Sequence, residues 1–75
     1  MYDAEFDILT LKYDSNDNAT AKEIGANIIV YAHDITGEIT TITVMDFVRK
    51  FDELLPSLKK IPLALNFEEV LHRVA

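Results

Sequence analysis

The fold is decided by a β-prone stretch near the middle of the chain, Ile28-Ile29-Val30-Tyr31-Ala32-His33-Asp34-Ile35-Thr36-Gly37-Glu38-Ile39-Thr40-Thr41-Ile42-Thr43-Val44-Met45. Residues 28–33 and 38–45 are rich in β-branched side chains, so each segment predicts a strand. Residues 34–37 are typical of a hairpin turn, in which Gly37 is free to take a positive φ. The stretch therefore predicts an antiparallel hairpin.

Two further strands are predicted ahead of this hairpin. Residues 6–13 alternate between apolar and polar side chains, and residues 20–24 form a weaker strand of the same kind. A polar turn at residues 14–18 and a break at residues 25–27 leave short connections between successive strands. Short connections favour antiparallel neighbours, so residues 1–46 are predicted to form a four-stranded antiparallel β-meander.

The hydrophobic period becomes helical after Met45. Asp46 is a plausible N-cap, and Pro56 is expected to end the helix because proline cannot continue helical hydrogen bonding. This amphipathic helix is predicted to lie across one face of the sheet, through Phe47, Val48, Phe51, Leu54 and Leu55.

The tail predicts a second, short helix. Asn66 followed by Glu69 resembles a capping box, which would start a helix over residues 67–74. Such a helix is unstable alone, so its apolar side is expected to dock on its own sheet or on a second copy of the chain. The fold class is thus α+β in a single domain, residues 1–75, with a β-meander at 1–46 and a helical extension at 47–75.

Composition excludes several function classes. The chain has 75 residues, 49% of them hydrophobic, and no cysteine, so disulfides, zinc–thiolate sites and cysteine nucleophiles are absent. The acidic start has no apolar run typical of a signal peptide, and no segment approaches the roughly 20 apolar residues of a membrane helix. A cytoplasmic location without membrane contact is expected.

The charge of the chain is unevenly distributed. Residues 1–45 hold eight acids and two bases, for −6, whereas residues 46–75 hold five of each. An acidic surface repels phosphates, so nucleic-acid binding is not expected, and a basic protein partner is favoured. Ordinary solubility is the alternative explanation.

No catalytic, cofactor or metal site is predicted, and the chain is not expected to be an enzyme. Gly25 and Gly37 are too far apart for a phosphate-binding loop, and neither serine has an evident histidine base. The alternating carboxylates Asp3, Glu5 and Asp7 are interpreted as a solvated sheet edge that discourages edge pairing.

The two histidines favour structural interpretations. His33, Asp34 and Glu38 surround one turn and are interpreted as a solvated hairpin end rather than a metal site. His72 lies four residues after Glu68, a spacing that supports a helix locally.

The predicted central strands are apolar on both faces. Ile29 and Tyr31 lie opposite Ile28 and Val30, and one helix covers only one face. A second subunit or the tail is expected to cover the other face, with a ligand pocket as the alternative, because exposed apolar patches usually mark an interface. A homodimer is predicted, with a candidate interface comprising Ile29, Tyr31, Ile61, Leu63, Leu65, Phe67, Val70, Leu71 and Val74.

Several segments of residues 2–46 form a familiar pattern: residues 2–13, Ala21-Lys22-Glu23-Ile24, residues 28–31, Gly37 and Ile42-Thr43-Val44-Met45-Asp46. This pattern resembles a small prokaryotic family of unknown function, number twenty-two eighty-three. It implies a four-stranded antiparallel sheet followed by helical structure. Genes of this family are often proposed to encode antitoxins beside RNA-cleaving toxins of the RelE type. The chain departs from the family after Asp46, where its extension is longer, and the turn before Gly37 is one residue longer.

The leading functional prediction is a protein-interaction module, and the resemblance implies an antitoxin-like partner of a basic RNA-cleaving toxin. The rival is an enzyme or small-ligand binder with a pocket between sheet and helix, which requires several buried ionisable groups to converge. A structural accessory subunit is the third alternative.

Overall fold

The computed structural model describes residues 1–75 as an α+β fold with one antiparallel sheet and two helices. The α+β class is confirmed, although the sheet has five strands where four were predicted. The elements are β1 (Tyr2–Asp3), β2 (Ile8–Lys12), β3 (Ala19–Glu23), β4 (Ile28–His33), β5 (Ile39–Met45), α1 (Phe51–Leu58) and α2 (Phe67–Val74).

The strand order is β1-β2-β5-β4-β3, so the predicted meander is wrong at one connection. Strands β3, β4 and β5 follow one another as hairpins. Strand β2 does not pair with β3 but lies beside β5, with Leu9 opposite Val44 and Leu11 opposite Ile42. Three hairpin-connected strands with a fourth beside the far one form a Greek-key arrangement.

The distribution of apolar residues explains this order. Strand β3 reads Ala-Thr-Ala-Lys-Glu and has little to bury, so it lies at the edge. Strands β2, β5 and β4 carry the branched aliphatic residues, and placing them side by side makes one continuous apolar layer. A meander would have separated β2 from β5 by the two other strands.

The connection between β2 and β3, residues 13–18, crosses the end of the sheet. The Asn16 side-chain oxygen accepts hydrogen bonds from the hydroxyls of Thr40 and Thr41, at 2.7 and 2.8 Å. Thr40 is the extra residue of a β-bulge, since Tyr31 faces Thr41 and Ala32 faces Ile39. The prediction of a polar turn between neighbouring strands is wrong here, because turn residues and crossover residues share the same composition.

The core lies between one face of the sheet and the helices. The sheet contributes Leu9, Ile28, Val30, Ile42 and Val44, and the rest of the chain contributes Phe47, Phe51, Leu54, Leu58, Ile61 and Phe67. Phe47 is fully buried, and its ring packs edge-on against Phe51 at 5.4 Å between centroids. Helical structure therefore packs on one face of the sheet, although Phe47 and Val48 of the predicted helix precede α1.

Helix α1 begins and ends later than predicted. Asp46 has a φ of 56°, which is incompatible with an N-cap, and the helix instead begins after Lys50 without a side-chain cap. Pro56 lies inside the helix rather than ending it. The carbonyl that proline leaves without a helical donor is that of Asp52, and both residues are exposed, so water can satisfy it.

Helix α2 matches its predicted bounds, and the side chain of Asn66 accepts a hydrogen bond from the Glu69 amide at 3.1 Å. Its apolar side packs on the protein's own core through Phe67, with Val70, Leu71 and Val74 around it. The ion pair on its outer surface joins Arg73 to Glu69 at 3.0 Å, instead of the predicted pairing of His72 with Glu68.

Candidate functional site

Neither helix covers the second face of the sheet, and only its end at Thr41 is covered, by Asn16. Side chains alternate along a strand, so those that do not face the helices point to the opposite side. On the central strands these are Ile8, Thr10, Ile29, Tyr31, Thr43 and Met45, hereafter the open face. All six are half-buried by their neighbours alone, because both helices pack on the other side.

The open face is apolar with threonine hydroxyls between its larger side chains. Ile8 lies opposite Met45, and Ile29 lies opposite Thr43. Tyr31 lies opposite Thr41, which is buried under Asn16 at the end of the face. No ionisable carboxylate or imidazole lies among the six residues, so the face is suited to contact rather than to proton transfer.

Acids flank the open face at one end. Asp3 pairs with Ile8 on one side of the sheet, and Glu23 pairs with Ile29 on the other. Lys12 and His33 lie on the same face at the opposite end, beside Thr41 and Ala19 respectively.

The hairpin groups considered as metal ligands have local partners. The Nδ1 atom of His33 accepts hydrogen bonds from the backbone amides of Ile35 and Thr36, at 3.2 and 3.4 Å. The carboxylate of Asp34 accepts one from the Thr20 hydroxyl at 2.5 Å. The chain contains no cluster of three or more histidine and carboxylate side chains arranged to hold a metal ion.

The structure separates the predicted interface residues into two sets. Ile29 and Tyr31 lie on the open face. Ile61 and Phe67 are core residues, each 5% exposed, and Leu63 is 38% exposed on the helical side of the fold. The rest pack against the core in the same chain: Leu65, Val70, Leu71 and Val74.

The sequence prediction omitted four residues of the open face, namely Ile8, Thr10, Thr43 and Met45. The signal that would have found them is the two-residue period of β2 and β5 combined with their pairing. These residues form one surface only because β2 lies beside β5, a pairing that the sequence pattern does not indicate.

A buried carboxylate joins the N-terminal turn to the start of the helical segment. Asp7, 9% exposed with a φ of 54°, accepts hydrogen bonds from Tyr2 Oη at 2.6 Å and from the Val48 and Arg49 amides at 2.9 and 3.0 Å. The interpretation of Asp7 as a solvated edge residue is therefore wrong. Asp7 has a structural role, because its carboxylate accepts hydrogen bonds from the Val48 and Arg49 amides in the turn that follows β5.

These contacts alter two pKa values. Burial alone would raise the pKa of Asp7, but the hydrogen bonds from Tyr2, Val48 and Arg49, with the Arg49 charge, outweigh it and lower that pKa. The hydrogen bond to Asp7, with desolvation and the nearby carboxylates, raises the pKa of Tyr2 to about 12. Both shifts favour the tyrosine–carboxylate pair seen in the structure.

The largest groove does not lie between the sheet and α1. That space is filled, since Ile28, Ile42 and Phe47 are fully buried. A groove of about 440 Å³ lies instead near the end of α1 and the start of α2, lined by seven apolar residues, with Lys59 and Glu68 as its ionisable groups. Both are exposed, so no buried ionisable groups converge there.

Neither helix has the length and apolar character needed to cross a membrane. No protein-family model, no curated protein and no solved structure matches the chain. The geometry of the open face is therefore the basis for a functional proposal.

Proposed function

We propose that this protein is a protein-interaction module whose open face binds a partner with a basic surface. The observation that carries the proposal is the placement of both helices on one side of the sheet. The tail was one of two elements expected to cover the second face, and it packs on the first. A partner molecule remains to cover Ile29, Tyr31 and the residues around them.

Charge favours a basic partner. All of the net charge of −6 derives from residues 1–45, which build the sheet, while residues 46–75 are balanced. Asp3 and Glu23 lie beside the open face itself. A basic surface would be attracted before contact, and the apolar side chains would then supply the short-range energy.

The resemblance of residues 2–46 to family twenty-two eighty-three extends the proposal to an antitoxin-like role. In that role the partner is a small basic RNA-cleaving protein, and binding would block its active surface. An acidic antitoxin can mimic the charge of RNA, which gives a physical reason for the sign of the charge.

The experiment pairs the full chain with the product of a neighbouring gene that encodes a small basic protein. Calorimetry is expected to show binding that weakens as salt is raised, because salt screens the charge attraction. The variant Ile29→Thr is expected to weaken binding about tenfold or more, as loss of a buried contact residue typically does.

The matched control is Ile35→Thr, since Ile35 is 88% exposed in the hairpin turn and lies outside the open face. It is expected to bind as the unchanged chain does. If no basic neighbouring product binds, or if both variants lose the same affinity, the proposed function is wrong.

A further inference from the structure

The outer edge of β3 is a second surface without a partner, distinct from the open face. Strand β3 pairs only with β4, and its residues are exposed apart from half-buried Ala19. The Ile24 amide donates to Ile28, and the Asn18 carbonyl accepts from the Asp34 amide. Because backbone direction alternates in an antiparallel pair, Ala19, Ala21 and Glu23 direct their backbone groups outward.

Most of those outward groups are free. The Ala19 amide donates to the Asn16 carbonyl at 3.0 Å, which leaves the Ala19 carbonyl and both backbone groups of Ala21 and Glu23. A lysine on an edge strand is a common protection against pairing, and Lys22 fits that description. The lysine protects the edge only where it meets no complementary charge.

We infer that β3 pairs antiparallel with β3 of a second copy of the chain, in the register that places Ala21 opposite Ala21. A two-fold axis requires a strand to pair with itself in the antiparallel sense. Among registers that match the outward residues to one another, only this one overlaps all of Ala19–Glu23. Ala21 then exchanges backbone bonds with its copy, and each Glu23 amide donates to an Ala19 carbonyl.

Charge selects the same register. Lys22 of one copy lies opposite Thr20 of the other, and the Thr20 hydroxyl holds the Asp34 carboxylate. The lysine therefore meets an acid. A register with Lys22 opposite Lys22 of the second copy would place two like charges together, and it would form fewer backbone hydrogen bonds.

The side chains on the other face of β3 fit the same register. Glu23 of one copy lies opposite Ala19 of the other, whose methyl group leaves room above it. The next side chain in that row is His33, since His33 pairs with Ala19. Its Nδ1 accepts backbone amides, so Nε2–H is left as a donor toward the glutamate.

The pairing would join two sheets edge to edge and place two open faces on one side. It leaves the six residues of the open face free, and Glu23 is the one residue that this inference shares with the proposed function. A dimer of this kind offers two sites for a partner.

Disulfide trapping tests the register, because the natural chain has no cysteine. In a hydrogen-bonded antiparallel pair the Cα atoms are about 5.5 Å apart, within the range of a disulfide. Ala21→Cys is expected to give a covalent dimer on mild oxidation. Lys22→Cys is the matched control. It is expected to crosslink poorly, because Lys22 lies opposite Thr20 of the second copy and is therefore only diagonal to the second Lys22.

A charge swap supplies a second readout by sedimentation. Lys22→Glu is expected to weaken the dimer about tenfold, since symmetry repeats the reversed pair. Adding Asp34→Lys is expected to restore it. A monomeric natural chain at millimolar concentration, or Lys22→Cys crosslinking faster than Ala21→Cys, would overturn the inference, as would a double variant weaker than the single one.

Discussion

The two faces of strand β4 carry similar residues and play different parts. Ile28 and Ile29 are neighbours of the same type. Ile28 is fully buried against the helices, whereas Ile29 is half-buried on the open face. Hydrophobicity along a strand therefore does not by itself assign a residue to the core. One face of this sheet holds the fold together, and the other is available for contact.

Substitution of the two adjacent isoleucines is expected to change stability by very different amounts. Ile28→Ala is expected to lower the free energy of unfolding by about 2–5 kcal/mol, because it leaves a cavity in the core. Ile29→Ala is expected to lower it by less than about 1.5 kcal/mol, since the side chain is already partly in water. Urea unfolding measures both.

A small domain has little stability to lose, so Ile28→Val provides a graded version with an expected loss of about 1 kcal/mol. Equal losses for Ile28→Ala and Ile29→Ala would contradict the division between the faces.

An intermediate effect is expected where the crossover reaches the end of the open face. Asn16→Ala removes the oxygen that both Thr40 and Thr41 use, and these residues are 2% and 4% exposed. The Thr41 hydroxyl loses its acceptor, whereas the Thr40 hydroxyl keeps the Tyr31 carbonyl at 3.3 Å. Leaving one buried hydroxyl without an acceptor is expected to cost about 2 kcal/mol in urea unfolding. Asp17→Ala, one residue along the same exposed connection, is the control and should cost less than about 0.5 kcal/mol. Comparable losses of unfolding free energy in Asn16→Ala and Asp17→Ala would contradict a specific role for the Asn16 hydrogen bonds.

A smaller effect is expected at Asp7, which joins the first turn to the helix-covered face. Asn tolerates the positive φ of this position and keeps one acceptor oxygen, so Asp7→Asn removes the charge together with one of the two oxygens that accept hydrogen bonds. The expected loss is about 1 kcal/mol at neutral pH.

The pH dependence of stability shows whether the charge of Asp7 stabilises the fold. Because the folded pKa of Asp7 is lowered, its contribution is present above the unfolded pKa and is lost as pH falls through the folded one. The difference between the natural chain and Asp7→Asn should therefore shrink below about pH 4.

At alkaline pH the opposite rule applies to Tyr2. Its pKa is raised from 10.0 to about 12, so its contribution is present below pH 10.0 and is lost as pH rises toward 12. Tyr2→Phe should not show this alkaline loss. An identical alkaline profile in the natural chain and the variant would contradict the Tyr2–Asp7 pair.

Local patterns predicted much of the fold. The bounds of β4 and α2 match the prediction, and Gly37 has the positive φ, 75°, that its turn requires. These features depend on residues close in sequence. The position of β2 beside β5 depends on contacts between residues more than 30 positions apart, such as Leu9 with Val44, and no local pattern records them.

The start of α1 is an example in which a local pattern predicted the wrong position. Asp46 is a good capping residue by type. The Val48 and Arg49 amides that follow it, however, donate hydrogen bonds to Asp7, and these bonds fix a turn before α1. The candidate surface was predicted in part, through Ile29 and Tyr31. The tail residues were assigned by hydrophobicity alone, which cannot distinguish a chain's own core from an interface.

The most direct test of the central claim is methyl NMR of the full chain during titration with the basic neighbouring protein. The methyl signals of Ile29, Ile8 and Met45 on the open face are expected to shift, while those of Ile28 and Ile42 in the core stay in place. Shifts confined to Leu63, Leu65 and Val70 around the helices, with Ile29 and Met45 unchanged, would contradict the claim that the uncovered sheet face is the site of contact.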